Sequence, residues 1–237
     1  MKIKTILFGI LAAMTCAAMM SCNNVSQNNE PADIAAAVPA FNTQSTQLFE
    51  DMQSLGNDAV VSPQPVFILG TYDENGVADA MNAAWGMQIG SRSVAVMLSP
   101  HKTTDNLRKS GCFTLALATV GTEVVSDYVG IVSANDVPDK AKRAGLQDVK
   151  GKQVNAPIFR NFPLTMECRV REFKDLGDDN VLLIGDVVAT YADKSILGVD
   201  GKVDLEKMQL LVFDGSHLSY RVIGPEVGKA FGDGKKI

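Results

Sequence analysis

An apolar stretch over residues 65–72 (PVFILGTY) is closed by the polar run Asp73-Glu-Asn-Gly76, and a second extended stretch follows over residues 77–85. Asn followed by Gly between two extended runs is the strongest short-range hairpin signal, so these segments predict a β-hairpin. Further strands are expected at residues 94–98, 112–118, 164–173 and 181–191, the last two joined by a turn at Gly177, Asp178 and Asp179. Two more are expected near residues 210–213 and 217–222, before a Gly-rich tail. Helical spacing is rarer. Thr43 can open a helix with Leu48, Phe49, Met52 and Leu55 on one face and Gly56 at its end. Thr103 or Thr104 can cap a short helix ending near Gly111, and Thr122 opens one holding Val124, Val125, Tyr128 and Val129. Asp136 and Pro138 open another that stops at Gly145, and Asp105, Asp136 and Asp204 read as helix-start carboxylates. Many strands with short turns and few helices do not give the regular alternation of a doubly wound sheet. The pattern predicts a mainly β fold, a largely antiparallel β-barrel with peripheral helices.

The first residues stand apart. Lys2 and Lys4 form a positive start, residues 6–14 are apolar, and small residues lead to Ser21 and Cys22. This is the layout of a secretory signal over residues 1–21, too short in its apolar part for a comfortable membrane span. Met19-Met-Ser-Cys22 resembles a bacterial lipobox, in which the cysteine is lipidated and becomes the mature N-terminus. Met stands where Leu is usual three positions before the cysteine. A plain signal peptide that leaves Cys22 a free thiol is the alternative. Asn23 and Asn24 follow, with no Asp, which resembles lipoproteins sent to the outer membrane. The expectation is a protein of the cell envelope, lipid-anchored in the outer membrane and facing the periplasm or the exterior. Residues 22–42, polar and then small with two prolines, read as a tether, and residues 43–237 as the folded domain.

Composition narrows the classes. The chain is 46% hydrophobic and 21% charged, which suits a full core and excludes a disordered or low-complexity protein. Loss of residues 1–21 removes two lysines and takes the net charge from −5 to −7. That balance supplies no electrostatic footprint for DNA or RNA, so no nucleic-acid partner is expected. Cys112 and Cys168 lie in apolar runs and are expected as buried, unpaired thiols, with a disulfide between them as the alternative. Two histidines without ligand spacing to cysteines give no reason to expect a metal site.

No nucleophile elbow, zinc-protease helix or phosphate-binding loop motif is present, and no catalytic residue is assigned. His101 reads as a solvent-facing loop residue and His217 as an ordinary sheet residue. Ser99-Pro-His-Lys-Thr-Thr-Asp-Asn106 gathers a Ser, a Lys and two Thr hydroxyls at the start of a helix, where unpaired backbone donors and the helix dipole favour an anion. A plain Thr cap beside an exposed lysine is the alternative. In Asp79-Ala-Met-Asn-Ala-Ala-Trp85 the small Ala80, Ala83 and Ala84 leave room for a flat ligand to approach the backbone. Trp85, the only tryptophan, can instead anchor a core.

These stretches, in order, resemble the flavin reductase-like FMN-binding split-barrel family, which includes the flavoredoxins. The likeness continues through Ser110-Gly-Cys-Phe-Thr-Leu115, Gly130-Ile-Val-Ser133, Asp139-Lys140 and Ala156-Pro-Ile158. It runs on through Leu164-Thr-Met-Glu-Cys-Arg169, Gly185-Asp-Val-Val188, Asp200-Gly-Lys-Val-Asp-Leu-Glu-Lys207 and Tyr220, about residues 60–225 in all. The resemblance implies a homodimeric split barrel holding FMN near the subunit interface. It implies that Met81, Asn82, Ala83, Ala84 and Trp85 line the isoalloxazine, largely through backbone. It places Ser99, Lys102, Thr103 and Thr104 around the phosphate, and the loop at Ser133 near the flavin edge. Ala134 stands where Gly is frequent and Ala141 where Phe is common.

The function implied is an FMN-binding oxidoreductase or electron carrier, passing electrons from NAD(P)H or a partner protein to flavin, ferric or protein acceptors. No Gly-x-Gly-x-x-Gly is present, so a nicotinamide would have to bind at the flavin face. An envelope protein does not meet the cytoplasmic nicotinamide pool, which favours a partner protein or small reductant as donor. The alternatives are a non-catalytic flavin- or haem-binding envelope lipoprotein and a structural lipoprotein with a vestigial pocket.

Overall fold

A computed structural model describes residues 52–237. The signal segment, Cys22, the tether and most of the helix expected from Thr43 lie outside the described residues. The chain divides into two compact units, Leu55–Val227 and one made of the chain ends. In the second unit, Asp233–Lys236 forms a single 3-10 turn closed by Lys236 Nζ and Asp233 Oδ1 at 2.7 Å. Every strand among the described residues belongs to Leu55–Val227.

The expected helix does not reach Gly56. Residues 52–55 are irregular and Gly56 sits in a turn at φ +79°. Met52 and Leu55 are exposed, so the apolar face that would sustain a helix there is not buried.

The expected first strand divides at Val66 into β1 (Gln64–Pro65) and β2 (Phe67–Tyr72). β3 (Ala78–Ala83) returns through the Asn75-Gly76 turn. There Gly76 has φ +77°, and Asp73 Oδ1 accepts from the N–H of Asn75 and of Val77, both at 2.8 Å. β4 (Gly86–Gly90) was not expected, because its Met87 and Ile89 are exposed and give no buried periodicity. After β5 (Ser93–Leu98) come α1 (Lys102–Ser110) and β6 (Cys112–Leu117). Gly111 stops α1 in the left-handed region at φ 64°, its N–H donating to Leu107 O at 2.9 Å.

Thr122 is the N-cap of α2 (Glu123–Ile131), as expected. The helix expected from Asp136 shrinks to α3 (Lys140–Arg143), because the N–H groups of Asp136 and Val137 turn back onto Ser133 O first. A small pair, β7 (Asp148–Lys150) and β8 (Pro157–Phe159), precedes the long hairpin of β9 (Leu164–Gly177) and β10 (Asn180–Ala192). Asp204 caps α4 (Leu205–Met208), accepting from the N–H of Glu206 and Lys207. β11 (Leu211–Asp214) and β12 (Ser219–Val222) end the set. His217 lies in the turn between them, its Nδ1 3.0 Å from Asp214 Oδ2, rather than on the strand expected from residue 217.

Seven strands form one antiparallel sheet in the order β3-β2-β6-β9-β10-β5-β4, and β1-β11-β12 form a smaller one. The large sheet curls until β3 approaches β5, and the two-residue link Ala84–Trp85 joins its terminal strands. Alternation then sorts the side chains. Phe67, Leu69, Met81, Val96, Phe113 and Leu183 fill the barrel interior, with Leu107 of α1 packed among them. Val66, Ile68, Ala80 and Ala116 face the other way, against Val129 of α2 and Ala141 of α3. Cys112 and Cys168 are buried free thiols, and burial pushes Cys168 up to about 12.

Gly185 permits one close contact in this interior. A Cβ there would lie 2.6 Å from Phe113 Cζ, and Phe113 is fully buried. Gly185→Ala is expected to destabilise by about 1–3 kcal/mol through overpacking, read as a lower urea midpoint with an unchanged slope.

Candidate functional site

β3 ends the large sheet, so one edge of its backbone has no strand partner among the described residues. Met81 and Ala83 point into the interior and are buried. Toward a ligand on that edge they can offer backbone alone. Asn82 points to the opposite face, where Nδ2 donates to Ser126 O at 3.1 Å and Tyr220 Oη at 3.3 Å. The Tyr220 hydroxyl donates in turn to Asp127 Oδ1 at 2.8 Å. Burial, then the bond to Asp127, pushes this phenol up to about 12, so it stays a donor at neutral pH. α2 can come this close because position 130 is glycine: a Cβ there would lie 3.0 Å from Asn82 Cβ. Trp85 is not a core anchor. Its side chain is 58% exposed, while its carbonyl accepts from Met97 N at 2.8 Å.

α1 starts two or three residues earlier than a cap at Thr103 or Thr104 implies. His101 is the N-cap, in extended conformation, and no side chain among the described residues caps the helix. The N–H groups of Lys102, Thr103 and Thr104 therefore begin the helix without a side-chain acceptor, at its positive end. The threonine hydroxyls turn inward. Thr103 Oγ1 donates to Asp79 Oδ2 at 2.5 Å and Thr104 Oγ1 to Ser99 O at 2.8 Å, and both residues are buried. Ser99 Oγ donates to Asn180 Oδ1 at 2.8 Å. The cationic group left at the helix start is Lys102, which makes no ion pair among the described residues. His101 keeps solvent contact, yet ring burial first and the Lys140 charge second hold it below the usual imidazole range. It is neutral at pH 7.

Ser133 lies in the turn after α2, its Oγ accepting from Asn135 N at 3.1 Å. Neighbouring Ala134 is buried, and Ala141 is buried in the outer core, so both departures from the family pattern are enclosed positions.

The three segments meet at a node that sequence reasoning missed. Asp79 of β3 takes the Thr103 hydroxyl, and its Oδ1 lies 3.4 Å from Lys140 Nζ of α3. Lys140 Nζ also donates to Val129 O at 3.1 Å and to Val132 O, next to Ser133, at 2.8 Å. A charged residue at an inward strand position was the available signal for Asp79. Its partner, 61 positions away, carried none beyond the family motif Asp139-Lys140. Burial lowers the proton affinity of Lys140 and outweighs the pull of Asp79. The unfolded chain then holds more protons just below the ordinary lysine range, so stability rises as pH enters that window. Cys168 and Tyr220, both pushed up on folding, act in the opposite direction over the same range, so the Lys140 contribution is read as a difference. The change in urea midpoint from pH 7 to pH 10 should be more favourable in the wild type than in the double variant Asp79→Asn with Lys140→Met, which removes both buried charges.

Among protein families, the model of the flavin reductase like domain matches residues 61–216. The chain belongs to this family. Flavoredoxin of Desulfovibrio vulgaris (Miyazaki F) is similar at 30% identity and TM-score 0.73, over 77% of this chain and 99% of that one. An FMN-binding protein from Thermus thermophilus shares the fold at 21% identity and TM-score 0.64, over 76% of this chain and all of that one. An uncharacterized protein of Aeropyrum pernix is 30% identical over 61% of this chain. The match covers 55% of that relative, so the chain spans about half the length of this curated protein. The fold is the split barrel of these proteins, and the family supports a flavin-binding redox function.

Proposed function

We propose that the protein is an FMN-dependent oxidoreductase or electron carrier of the cell envelope. It works as a homodimer, anchored by lipid on Cys22 and reaching its position through the 22–42 tether. The observation that carries this reading is the uncapped start of α1, with Lys102 beside it and the buried Asp79–Thr103 bond tying it to the open edge of β3. An anionic phosphate suits the first site, and a flat ring suits the small, half-open stretch Ala83–Ala84–Trp85. A bound flavin supplies hydride and single-electron chemistry. The chain's own residues bind and orient it. Lys102 and the first N–H groups of α1 would hold the phosphate, the β3 edge and Trp85 would line the ring, and Ser133 would lie near the flavin edge.

Exposed Trp85, Met87 and Ile89 follow one another along the β3–β4 link and β4. Beside them a 460 Å³ groove is walled by Phe67, Val94, Leu117 and Met166. Apolar surface on a terminal strand is what a second copy would cover, which supports the homodimer. The donor fits a partner protein or a small reductant better than NAD(P)H, because the envelope lacks the cytoplasmic nicotinamide pool.

The test is the visible spectrum of the full-length protein, purified in detergent, before and after FMN is added. Flavin bands that stay with the protein through gel filtration support the reading. A protein that takes up no flavin refutes it, and one that oxidises NADPH rapidly with tight saturation refutes the choice of donor. Flavin retained without turnover by any donor favours the non-catalytic binding module.

A further inference from the structure

Asp79, Thr103 and Lys140 are each at least 96% buried, and together they bond three separate segments. Asp79 sits on β3 two residues before Met81. Thr103 is the second residue of α1, beside Lys102. Lys140 reaches from α3 to the last carbonyls of α2, ending on Val132, which adjoins Ser133. The ion pair closes without a hydrogen bond, since Asp79 Oδ1 accepts none. Such a pair is a poor source of stability, because desolvating two charges offsets their attraction and well-packed apolar substitutes are often neutral or better. Its directional bonds instead fix geometry. Other directional bonds join these parts in pairs, Asn82 of β3 to Ser126 O of α2 and Asn106 of α1 to Thr71 of β2, whereas this node ties the phosphate end, the ring edge and the far turn of the candidate site together. An ångström of slack between them would misplace any ligand that spans all three.

We propose that Asp79, acting through Thr103 and Lys140, is a positioning residue that sets the start of α1 against β3 and the Ser133 turn, so that phosphate and ring are held by one rigid frame. This rests on the flavin reading above and deepens it. The node touches no ligand itself.

A phosphate preference reads the frame separately from overall folding. Full-length protein in detergent is titrated with FMN and with riboflavin, which lacks the phosphate, following the quench of flavin fluorescence. The ratio of the two dissociation constants reports the phosphate site alone. Thr103→Val removes the hydroxyl and Thr103→Ser keeps it. Asp79→Asn with Lys140→Met removes both charges, avoiding the unpaired buried charge that could unfold either single variant. Thr103→Val and the double variant should lower the ratio about tenfold, the loss of roughly one charge-assisted bond, with riboflavin affinity unchanged within about twofold. Thr103→Ser should restore the ratio. If both flavins weaken together, or the ratio does not move, the node is structural only and the proposal fails while the flavin reading stands. A wild type that binds both flavins equally also overturns it. A wild type that binds neither flavin overturns the flavin reading and this proposal together.

Discussion

Lys102→Glu is expected to weaken FMN binding about a hundredfold and to leave riboflavin binding nearly unchanged. A charge-assisted hydrogen bond contributes about 1.5–3 kcal/mol, and a hundredfold change in affinity is about 2.7 kcal/mol. Lys102 opens α1, where the helix dipole already favours negative charge, so a carboxylate there would compete with the phosphate for the same N–H groups. Glu74 is close enough for Lys102 to help lower its carboxyl, after the larger effect of its bond to Lys109. Reversal at position 102 therefore adds an acid to an acidic neighbourhood. The fold should tolerate the change, because Lys102 is half-exposed and forms no ion pair among the described residues. Titration at two salt concentrations separates the effects. Wild-type affinity for FMN should fall with salt, and that of the variant should fall less. Wild-type affinity in Lys102→Glu would place the phosphate elsewhere.

Local chemistry made much of this molecule legible in the sequence. Asn75-Gly76 announced the β2–β3 hairpin, Gly111 the end of α1 and Thr122 the start of α2, since each acts through its own backbone. Buried runs such as Phe67–Tyr72 announced strands. What escaped depended on distant partners. β4 is half a barrel edge with exposed Met87 and Ile89, so nothing in its pattern distinguishes it from a loop. The helix from Asp136 gave way to a turn on Ser133 O that no spacing predicts. At the candidate site, Lys102 and the open strand Ala78–Ala83 were readable as residue types in place. The inward commitment of Thr103 and Thr104 was not, because it follows from Asp79 lying beneath Thr103 and from the Ser99 carbonyl accepting from Thr104. The same hydroxyls that suggested an anion shell turn out to lock the helix that presents the backbone donors.

Glu167→Ala is expected to have the largest effect on stability. The Glu167 side chain rises from β9 and is fully buried. Its Oε1 accepts from Lys152 N at 2.7 Å and its Oε2 from Gln153 N at 2.5 Å, so the carboxylate serves as the missing partner strand for the loop after β7. Gly151 admits it, since a Cβ there would lie 3.0 Å from Oε1. The loop is then held against β6, with Val154 and Ala156 packed on Cys112, and the Thr114 hydroxyl donating to Pro157 O at 2.5 Å. Removing the carboxylate takes the acceptor from two part-buried N–H groups, at up to about 1–3 kcal/mol each, and opens a cavity at the fully buried Glu167 position besides. A loss of about 3–5 kcal/mol is expected, a large share of the stability of an ordinary domain. Glu167→Gln keeps one oxygen for one N–H and turns an amide donor toward the other, so it should cost about half as much. Urea unfolding of the three proteins checks the order. The loop lies away from Lys102 and Trp85 in the chain's bonding pattern, so FMN affinity measured well below the midpoint should be unchanged in Glu167→Gln. A stability loss under about 1 kcal/mol in Glu167→Ala would mean that the loop finds its donors' partners elsewhere.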